Sequence, residues 1–198
     1  MKNRFVVASA AAVFAAAGMA QAQSFTEAFD DVASLTSAGG WFTQNNSSPI
    51  GVIGYFQGNT AVFAPQASAG YLGVNFNSTA GVGTISNWFV TPVLSLQNGQ
   101  TFSFYTRTEP ATIWPDRLQV RMSLAGVSTN VGTAATDVGD FTTLLLDINE
   151  TLSPTGYPLD WTQYTVTISG AAAPTNGRLA FRYFVDGGGP SGANSDYI

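Results

Sequence analysis

The chain has 198 residues, of which 45% are hydrophobic and only 10% are charged, and it contains no cysteine and no histidine. This length suits one domain with a sizeable core. Without histidine there is no Ser-His-Asp or Cys-His catalytic unit, and without cysteine there is no disulfide, thiolate nucleophile or thiolate metal site. The chemistry that remains uses carboxylates, hydroxyls or calcium.

The few basic residues are placed unevenly along the chain. Lys2 is the only lysine, and together with Arg4 it lies at the extreme N-terminus. Removing both would leave five arginines against twelve carboxylates, a net charge of −7. Such a chain has no Schiff-base or P-loop lysine, and its charge opposes binding to nucleic acid or to anionic lipid. We therefore expect no nucleic-acid partner.

The N-terminus has the pattern of an export signal. Lys2 and Arg4 precede the apolar run Phe5–Ala20, which is shorter than the roughly 20 residues that span a bilayer, and Ala20-Gln21-Ala22 fits an A-x-A cleavage site. The sequence predicts a signal peptide over residues 1–22 and one domain over residues 23–198. No other apolar run is long enough to span a membrane, so we expect an exported bacterial protein.

Beyond the signal the hydrophobic pattern has a period of two rather than a helical period. In Arg117–Ser123, for example, Leu118, Val120 and Met122 alternate with polar residues, which indicates a half-buried antiparallel strand. The predicted strands are Phe25–Phe29, Gly51–Gln57, Ala61–Phe63, Tyr71–Phe76, Thr84–Val90, Thr101–Arg107, Arg117–Ser123, Thr142–Ile148, Gln163–Ser169, Arg178–Val185 and Ser195–Ile198. Short strands at this spacing predict an all-β, antiparallel jelly-roll β-sandwich.

A carboxylate-based glycosidase would need two acidic side chains about 5–10 Å apart across a cleft. The chain has only three glutamates, and none has a second carboxylate two residues away on the same strand. Glu109 and Asp116 lie in a proline-containing loop. We interpret them as scattered surface carboxylates and expect no catalytic residues.

Calcium is the better chemical candidate, because it takes oxygen ligands and needs neither histidine nor cysteine. One acidic cluster comprises Glu27, Asp30 and Asp31, and a second comprises Asp186, Asn194 and Asp196 around several glycines. The clusters would converge if the first and last strands are neighbours. The alternative is a pair of solvated turns with Asx-type hydrogen bonds.

The aromatic content of 13% allows a sugar-stacking platform. Of the four tryptophans, Trp114 lies in a loop and is the best candidate for exposure, whereas Trp88 and Trp161 fall in or beside strands, where large aromatics usually belong to the core. Arg117 and Arg121 should pair with carboxylates across neighbouring strands.

Several segments in order resemble choice-of-anchor J domains, which are exported bacterial modules related to cleaved-adhesin domains. The resemblance begins with FTEAFDDVASLTSAGGW (Phe25–Trp41) and covers nearly all of the chain after the signal. It continues through ISNWFVTPVLSL (Ile85–Leu96), PDRLQVRMS (Pro115–Ser123), YPLDWTQYTVTISG (Tyr157–Gly170) and GRLAFRYFV…GPSGANSDYI (Gly177–Ile198).

The resemblance implies a jelly-roll sandwich in a secreted or surface-attached protein, often followed by a PEP-CTERM sorting anchor, and it does not imply catalysis. Related adhesin domains can bind calcium, which adds weight to Glu27, Asp30 and Asp196 as ligands. Family members run on past Ser195–Ile198, so we expect a truncated closing strand that pairs with the opening strand Phe25–Phe29.

Three classes of function remain. The first is a non-catalytic extracellular module with a structural or adhesive role in the cell envelope or biofilm matrix, whose partner is an extracellular polysaccharide or a surface protein. The second is a carbohydrate-binding module, and the third is a hydrolase that uses carboxylates alone. The missing residues and motifs favour them in that order.

Overall fold

The computed structural model describes residues 26–198. The predicted signal peptide and Phe25 lie outside this range. Within residues 26–198, no helix is both long and apolar enough to cross a membrane. Of the described residues 39% are in strands and 5% in helices, and every pairing between the strands of this range is antiparallel.

Eleven strands, one short α-helix and one 3₁₀ turn follow one another over the described residues. They are α1 (Val32–Ser37), β1 (Phe42–Asn45), β2 (Ser48–Ile50), β3 (Phe56–Gln57), β4 (Leu72–Gly73), the 3₁₀ turn (Phe76–Ser78), β5 (Thr79–Val90), β6 (Leu94–Leu96), β7 (Thr101–Thr106), β8 (Leu118–Ser123), β9 (Thr143–Ile148), β10 (Thr162–Thr167) and β11 (Thr175–Gly188).

Seven strands form the main sheet, in the order β1-β5-β11-β8-β9, with β2 beside β5 and β6 beside β11. Its centre is made by β5 and β11, which are also the longest strands. Ile85–Val90 of β5 and Leu179–Tyr183 of β11 are buried without a break. Continuous burial means that the sheet centre is covered on both faces.

The second layer consists of two small ribbons, β7 with β10 and β3 with β4. Phe102 and Phe104 of β7 contact Phe181 at the centre of the main sheet, with ring centroids 5.7 and 5.0 Å apart. The alternation in β7 therefore has the predicted cause, since its apolar face meets the main sheet and its polar face meets water.

The opposite face of the main sheet lies under the connection between β8 and β9. Val131 and Phe141 of this connection pack against Trp88, Val90 and Ala180. Trp88 and Phe141 are completely buried. The main core thus lies between the two layers, and a smaller core lies beneath this loop.

The predicted all-β, antiparallel jelly-roll sandwich is confirmed. The alternating segments coincide with β7, β8, β10 and β11, and the predicted strand Thr142–Ile148 coincides with β9. The prediction of an opening strand over Phe25–Phe29 is wrong for its described part, because residues 26–29 form no strand. Asp31 instead caps α1, its side chain accepting a hydrogen bond from the Ser34 amide at 3.2 Å. Ala61–Phe63 is also a turn rather than a strand.

The closing segment is paired differently from the expectation. Tyr197 bridges Asn75, and Ile198 exchanges two backbone hydrogen bonds with Val74, each 3.1 Å long. The neighbour of the C-terminal segment is therefore the chain just after β4, not residues 26–29. The acidic clusters at the two ends of the chain do not converge by the predicted pairing of strands.

Candidate functional site

A buried acidic junction lies where β8 begins, at the fully buried side chain of Asp116. Its Oδ2 accepts a hydrogen bond from the Thr108 hydroxyl at 2.6 Å. Its Oδ1 accepts the amide of Asp196 at 2.8 Å and also the hydroxyl of Tyr183. Through these hydrogen bonds Asp116 connects the start of β8 to the segment after β7, to the middle of β11 and to the C-terminal segment.

Burial is the main influence on the ionisation of this junction. Loss of hydration raises the pKa of Asp116 to about 6, although the hydrogen bonds from Asp196, Thr108 and Tyr183 oppose the rise. Burial also raises the pKa of Glu109, and the charge of Asp196 and a hydrogen bond to it add to the effect. The interpretation of Asp116 as a surface carboxylate is therefore wrong.

The junction does not have the geometry of a catalytic pair. Both oxygens of Asp116 are occupied by donors from the protein, and its side chain has no exposed surface. A general acid or base must come within hydrogen-bond reach of its substrate. Asp116 cannot do so in this fold, and its role is to hold elements together.

The three residues predicted to bind calcium have separate surroundings. Glu27 accepts the amide of Phe29 at 2.9 Å, and Asp30 accepts the amides of Ala69 and Gly70, both at 2.9 Å. Asp196 lies instead at the junction with Asp116. Among residues 26–198 no group of three or more acidic side chains is placed to hold a metal ion. Calcium binding at Glu27, Asp30 and Asp196 stays a prediction.

The other candidate residues are divided between core and surface. Asp186 accepts the hydroxyl of Thr84 on the neighbouring strand β5 at 2.8 Å. Only the second bond, from the side-chain amide of Asn194 to the carbonyl of Asp186 at 2.7 Å, is local to the turn. Trp88 is fully buried and Trp114 is 45% exposed, as the sequence predicts.

The two arginines of β8 differ in their partners. Arg117 forms the expected cross-strand ion pair, with Asp147 of β9 at 2.6 Å. Arg121 donates instead to the side chain of Gln119 and to the carbonyl of Phe141. This polar row stabilises the β8–β9 edge of the main sheet.

A cavity of about 550 Å³ opens between the two layers, and no pattern in the sequence predicts it. Its walls come from β4, β7, the N-terminal segment and the main sheet. Aromatic side chains dominate the lining: Phe29, Trp41, Tyr55, Tyr71, Phe102, Phe104, Tyr105, Trp161 and Phe181. Of the lining residues within the described range, only Glu27 carries a charge, and its carboxylate accepts the Phe29 amide.

No protein-family model matches the chain, and no curated protein matches it either. Among solved structures it is similar to the K1 cleaved adhesin domain of Lys-gingipain from Porphyromonas gingivalis W83. The two share 24% sequence identity at a TM-score of 0.57, over 86% of this chain and 90% of that domain. The K2 cleaved adhesin domain of Lys-gingipain gives a TM-score of 0.55 at 14% identity, over 87% of this chain and 93% of that domain.

A weaker likeness, at a TM-score of 0.44 and 14% identity, is to a structure of carbohydrate-binding modules from the β-sandwich superfamily. It covers 82% of this chain and 58% of that chain. From the likeness to the K1 and K2 domains, the chain has a β-sandwich fold like that of the cleaved adhesin domains.

Proposed function

We propose that this protein is a non-catalytic binding module that acts in adhesion outside the cell. The observation that carries the proposal is the aromatic cavity. It offers a large apolar surface, its lining within residues 26–198 has one charged side chain, and that side chain is already engaged. A cavity of this kind is suited to hold a partner and lacks groups to transform one.

The cellular setting is part of the same proposal. The likeness to adhesin domains of Lys-gingipain supports an exported or cell-surface location, and the residues from Phe25 to Ile198 that resemble choice-of-anchor J domains support the same assignment. A PEP-CTERM-type anchor in the full protein would hold the domain at the surface. The partner would then be a surface protein or an extracellular polysaccharide.

Adhesion by immobilised protein tests the proposal. Beads that carry the protein should adhere to surfaces coated with bacterial outer-surface proteins or with exopolysaccharide, and beads that carry heat-unfolded protein should not. Leu72→Trp, which places an indole in the cavity, should reduce adhesion. Leu144→Trp is the matched control, because Leu144 is exposed on β9 and does not line the cavity. Equal adhesion of both variants would contradict a role for the cavity.

Carbohydrate binding is the second candidate, and it depends on exposed aromatic rings, one of which, Tyr105, also lines the cavity. Trp114 is 45% exposed and Tyr105 is 43% exposed, and exposed aromatic rings provide faces on which sugars can stack. A glycan array probed with the protein and with Trp114→Ala would test it. Binding that is lost in the variant would favour this second function over the adhesive one.

Calcium remains a proposal for Glu27, Asp30 and Asp196. Titration calorimetry of calcium into the metal-free protein should give a binding isotherm that Asp196→Asn weakens. Asp160→Asn removes an exposed carboxylate and serves as the control, since the Asp160 side chain is 97% exposed. The absence of heat in the unsubstituted protein would contradict the proposal.

A further inference from the structure

The ribbon of β7 and β10 turns one of its two faces away from the main sheet. Phe102 and Phe104 of this ribbon point inward, where they contact Phe181. Because successive side chains of a strand alternate between its faces, the residues between them point outward. We call this outward surface the ribbon face. All six of its side chains are exposed, namely Thr101, Ser103, Tyr105, Gln163, Thr165 and Thr167.

The pairing of β7 with β10 fixes the spacing of the ribbon face. Paired strands lie about 4.8 Å apart, and two residues along a strand span about 7 Å, so the face is a grid of three rows. The rows are Thr101 with Thr167, Ser103 with Thr165, and Tyr105 with Gln163. In the middle row the two hydroxyl oxygens are hydrogen-bonded at 2.7 Å. These positions are set before a partner binds, which lowers the entropy cost of binding.

The ribbon face is uncharged and rich in hydrogen-bonding groups. Apart from Tyr105, its members are serine, threonine and glutamine. Each of these side chains can both donate and accept a hydrogen bond. Tyr105 adds an aromatic ring and is 43% exposed. None of the six side chains carries a charge, and none is purely aliphatic.

The cation that follows β7 is engaged by the protein itself. The Arg107 side chain is only 12% exposed. Its guanidinium lies over the ring of Phe63, 4.6 Å from the ring centre, and 4.0 Å from the carboxylate of Asp160. Arg107 is therefore directed at protein groups and not at the ribbon face. What the face offers to a partner is a set of hydrogen bonds and one ring.

We propose that the ribbon face binds an uncharged extracellular polysaccharide, with a sugar ring on Tyr105 and sugar hydroxyls bonded to the serine, threonine and glutamine side chains. Sugar hydroxyls donate and accept hydrogen bonds, as these side chains do. A lipid or an apolar protein surface would find a single aromatic anchor here. A nucleic acid or an acidic polysaccharide would find no cation in the face and would meet a chain of negative net charge.

Polysaccharides of defined charge test the proposal. The protein is titrated onto beads coated with hydroxyethyl cellulose, glucomannan, galactan or dextran, which are uncharged, and onto beads coated with alginate, which is acidic. At least one of the uncharged polymers should bind the protein, and alginate should not. Binding to the uncharged polymer should not weaken with added salt, because salt screens only interactions between charges.

Variants of β10 locate the binding on the ribbon face, because Thr165 and Gln163 do not line the cavity. Thr165→Glu places a carboxylate in the middle row and should weaken binding at least about fivefold, the effect of losing one hydrogen bond. Thr165→Ser keeps a hydroxyl and should bind normally. Thr142→Glu is the matched control, since it adds the same charge at an exposed position before β9. If Thr165→Glu does not fold, as judged by near-ultraviolet circular dichroism, Gln163→Glu introduces the charge with almost no change of shape.

Two results would overturn the proposal. The first is binding that Thr165→Glu and Gln163→Glu leave unchanged, which would mean that the polysaccharide binds elsewhere on the protein. The second is tighter binding to alginate than to every uncharged polymer. The inference rests on the proposed carbohydrate binding, yet the two fail separately. Binding that is indifferent to the glutamate variants contradicts only the ribbon face, whereas no binding to any of the polymers contradicts carbohydrate binding itself.

Discussion

Two almost completely buried charged side chains, Asp116 and Arg182, are accommodated in different ways. Asp116 receives hydrogen bonds from a hydroxyl, a phenol and a backbone amide. Arg182 donates to Ser86, Gln119 and the carbonyl of Ala135. Burial raises the pKa of Asp116 to about 6 and lowers the pKa of Arg182 to about 9. Such buried groups cost stability unless every polar atom is satisfied, and they specify one arrangement of the strands around them.

The raised pKa of Asp116 predicts an unusual pH dependence of stability. Its ordinary value is 3.8, so between about pH 4 and about pH 6 the folded state holds a proton that the unfolded state has released. The contribution of Asp116 to the free energy of unfolding is therefore fully present below pH 4. It is lost as the pH rises from 4 through 6, by at most about 1.4 kcal/mol per pH unit. Chemical denaturation across this range measures it.

A pair of variants isolates this contribution. Asp116→Asn has no proton to gain, so its free energy of unfolding should depend less on pH between 4 and 6 than that of the unsubstituted protein. Asp160→Asn removes a carboxylate that is 97% exposed and should keep the original pH dependence. If the free energy of unfolding of Asp116→Asn changes with pH as much as that of the unsubstituted protein, another group causes the pH dependence.

At the level of elements, the short edge strand β2 depends on a close approach to β5. A Cβ atom built on Gly83 would lie 2.1 Å from the carbonyl oxygen of Ser48, which is backbone and cannot swing away. Gly81, two residues earlier in the same strand, has open space at the equivalent position. This contrast gives two neighbouring glycines with opposite tolerance to a methyl group.

Gly83→Ala should destabilise the protein by about 1–3 kcal/mol, the usual cost of forcing extra atoms into packed structure. Gly81→Ala should be neutral or slightly stabilising, because alanine restricts the unfolded chain more than glycine does. Urea denaturation of both variants measures the difference. Equal stabilities would mean that β2 is displaced from β5 at no cost.

The elements that sequence alone predicts are those with one face on the core. β7 and β10 show clear alternation because a single layer covers them on one side. β8 shows it although both of its faces are covered, because its second face carries the polar side chains Gln119 and Arg121, which hydrogen-bond to each other. β1 and β2 lack it, and side-chain hydrogen bonds hold this region: Asn45 donates to the carbonyls of Ile53 and Ser78, at 3.2 and 2.7 Å. No period-two pattern can reveal a strand held in that way.

At the level of the whole molecule, the candidate site depends on contacts between distant residues. Asp116 is buried because Thr108, Tyr183 and Asp196 converge on it from other parts of the chain, and nothing in the local Pro115-Asp116-Arg117 sequence marks this. The cavity likewise exists because β4 and β7 belong to different ribbons. Sequence periodicity shows which face of each strand is apolar, whereas the spacing between two strands is a property of the assembled sandwich.

An open aromatic cavity predicts that the folded protein binds apolar probes. A neutral dye such as N-phenyl-1-naphthylamine should fluoresce with the native protein and lose its signal on unfolding, because unfolding removes the enclosed apolar surface. A neutral probe avoids repulsion by a chain whose net charge is negative. Leu72→Trp should reduce the signal by filling the cavity, while Leu144→Trp on the exposed face of β9 should leave it unchanged. A dye signal that Leu72→Trp does not lower would place the apolar surface elsewhere, and a signal that first appears on heating would mean that the cavity is closed in the native state.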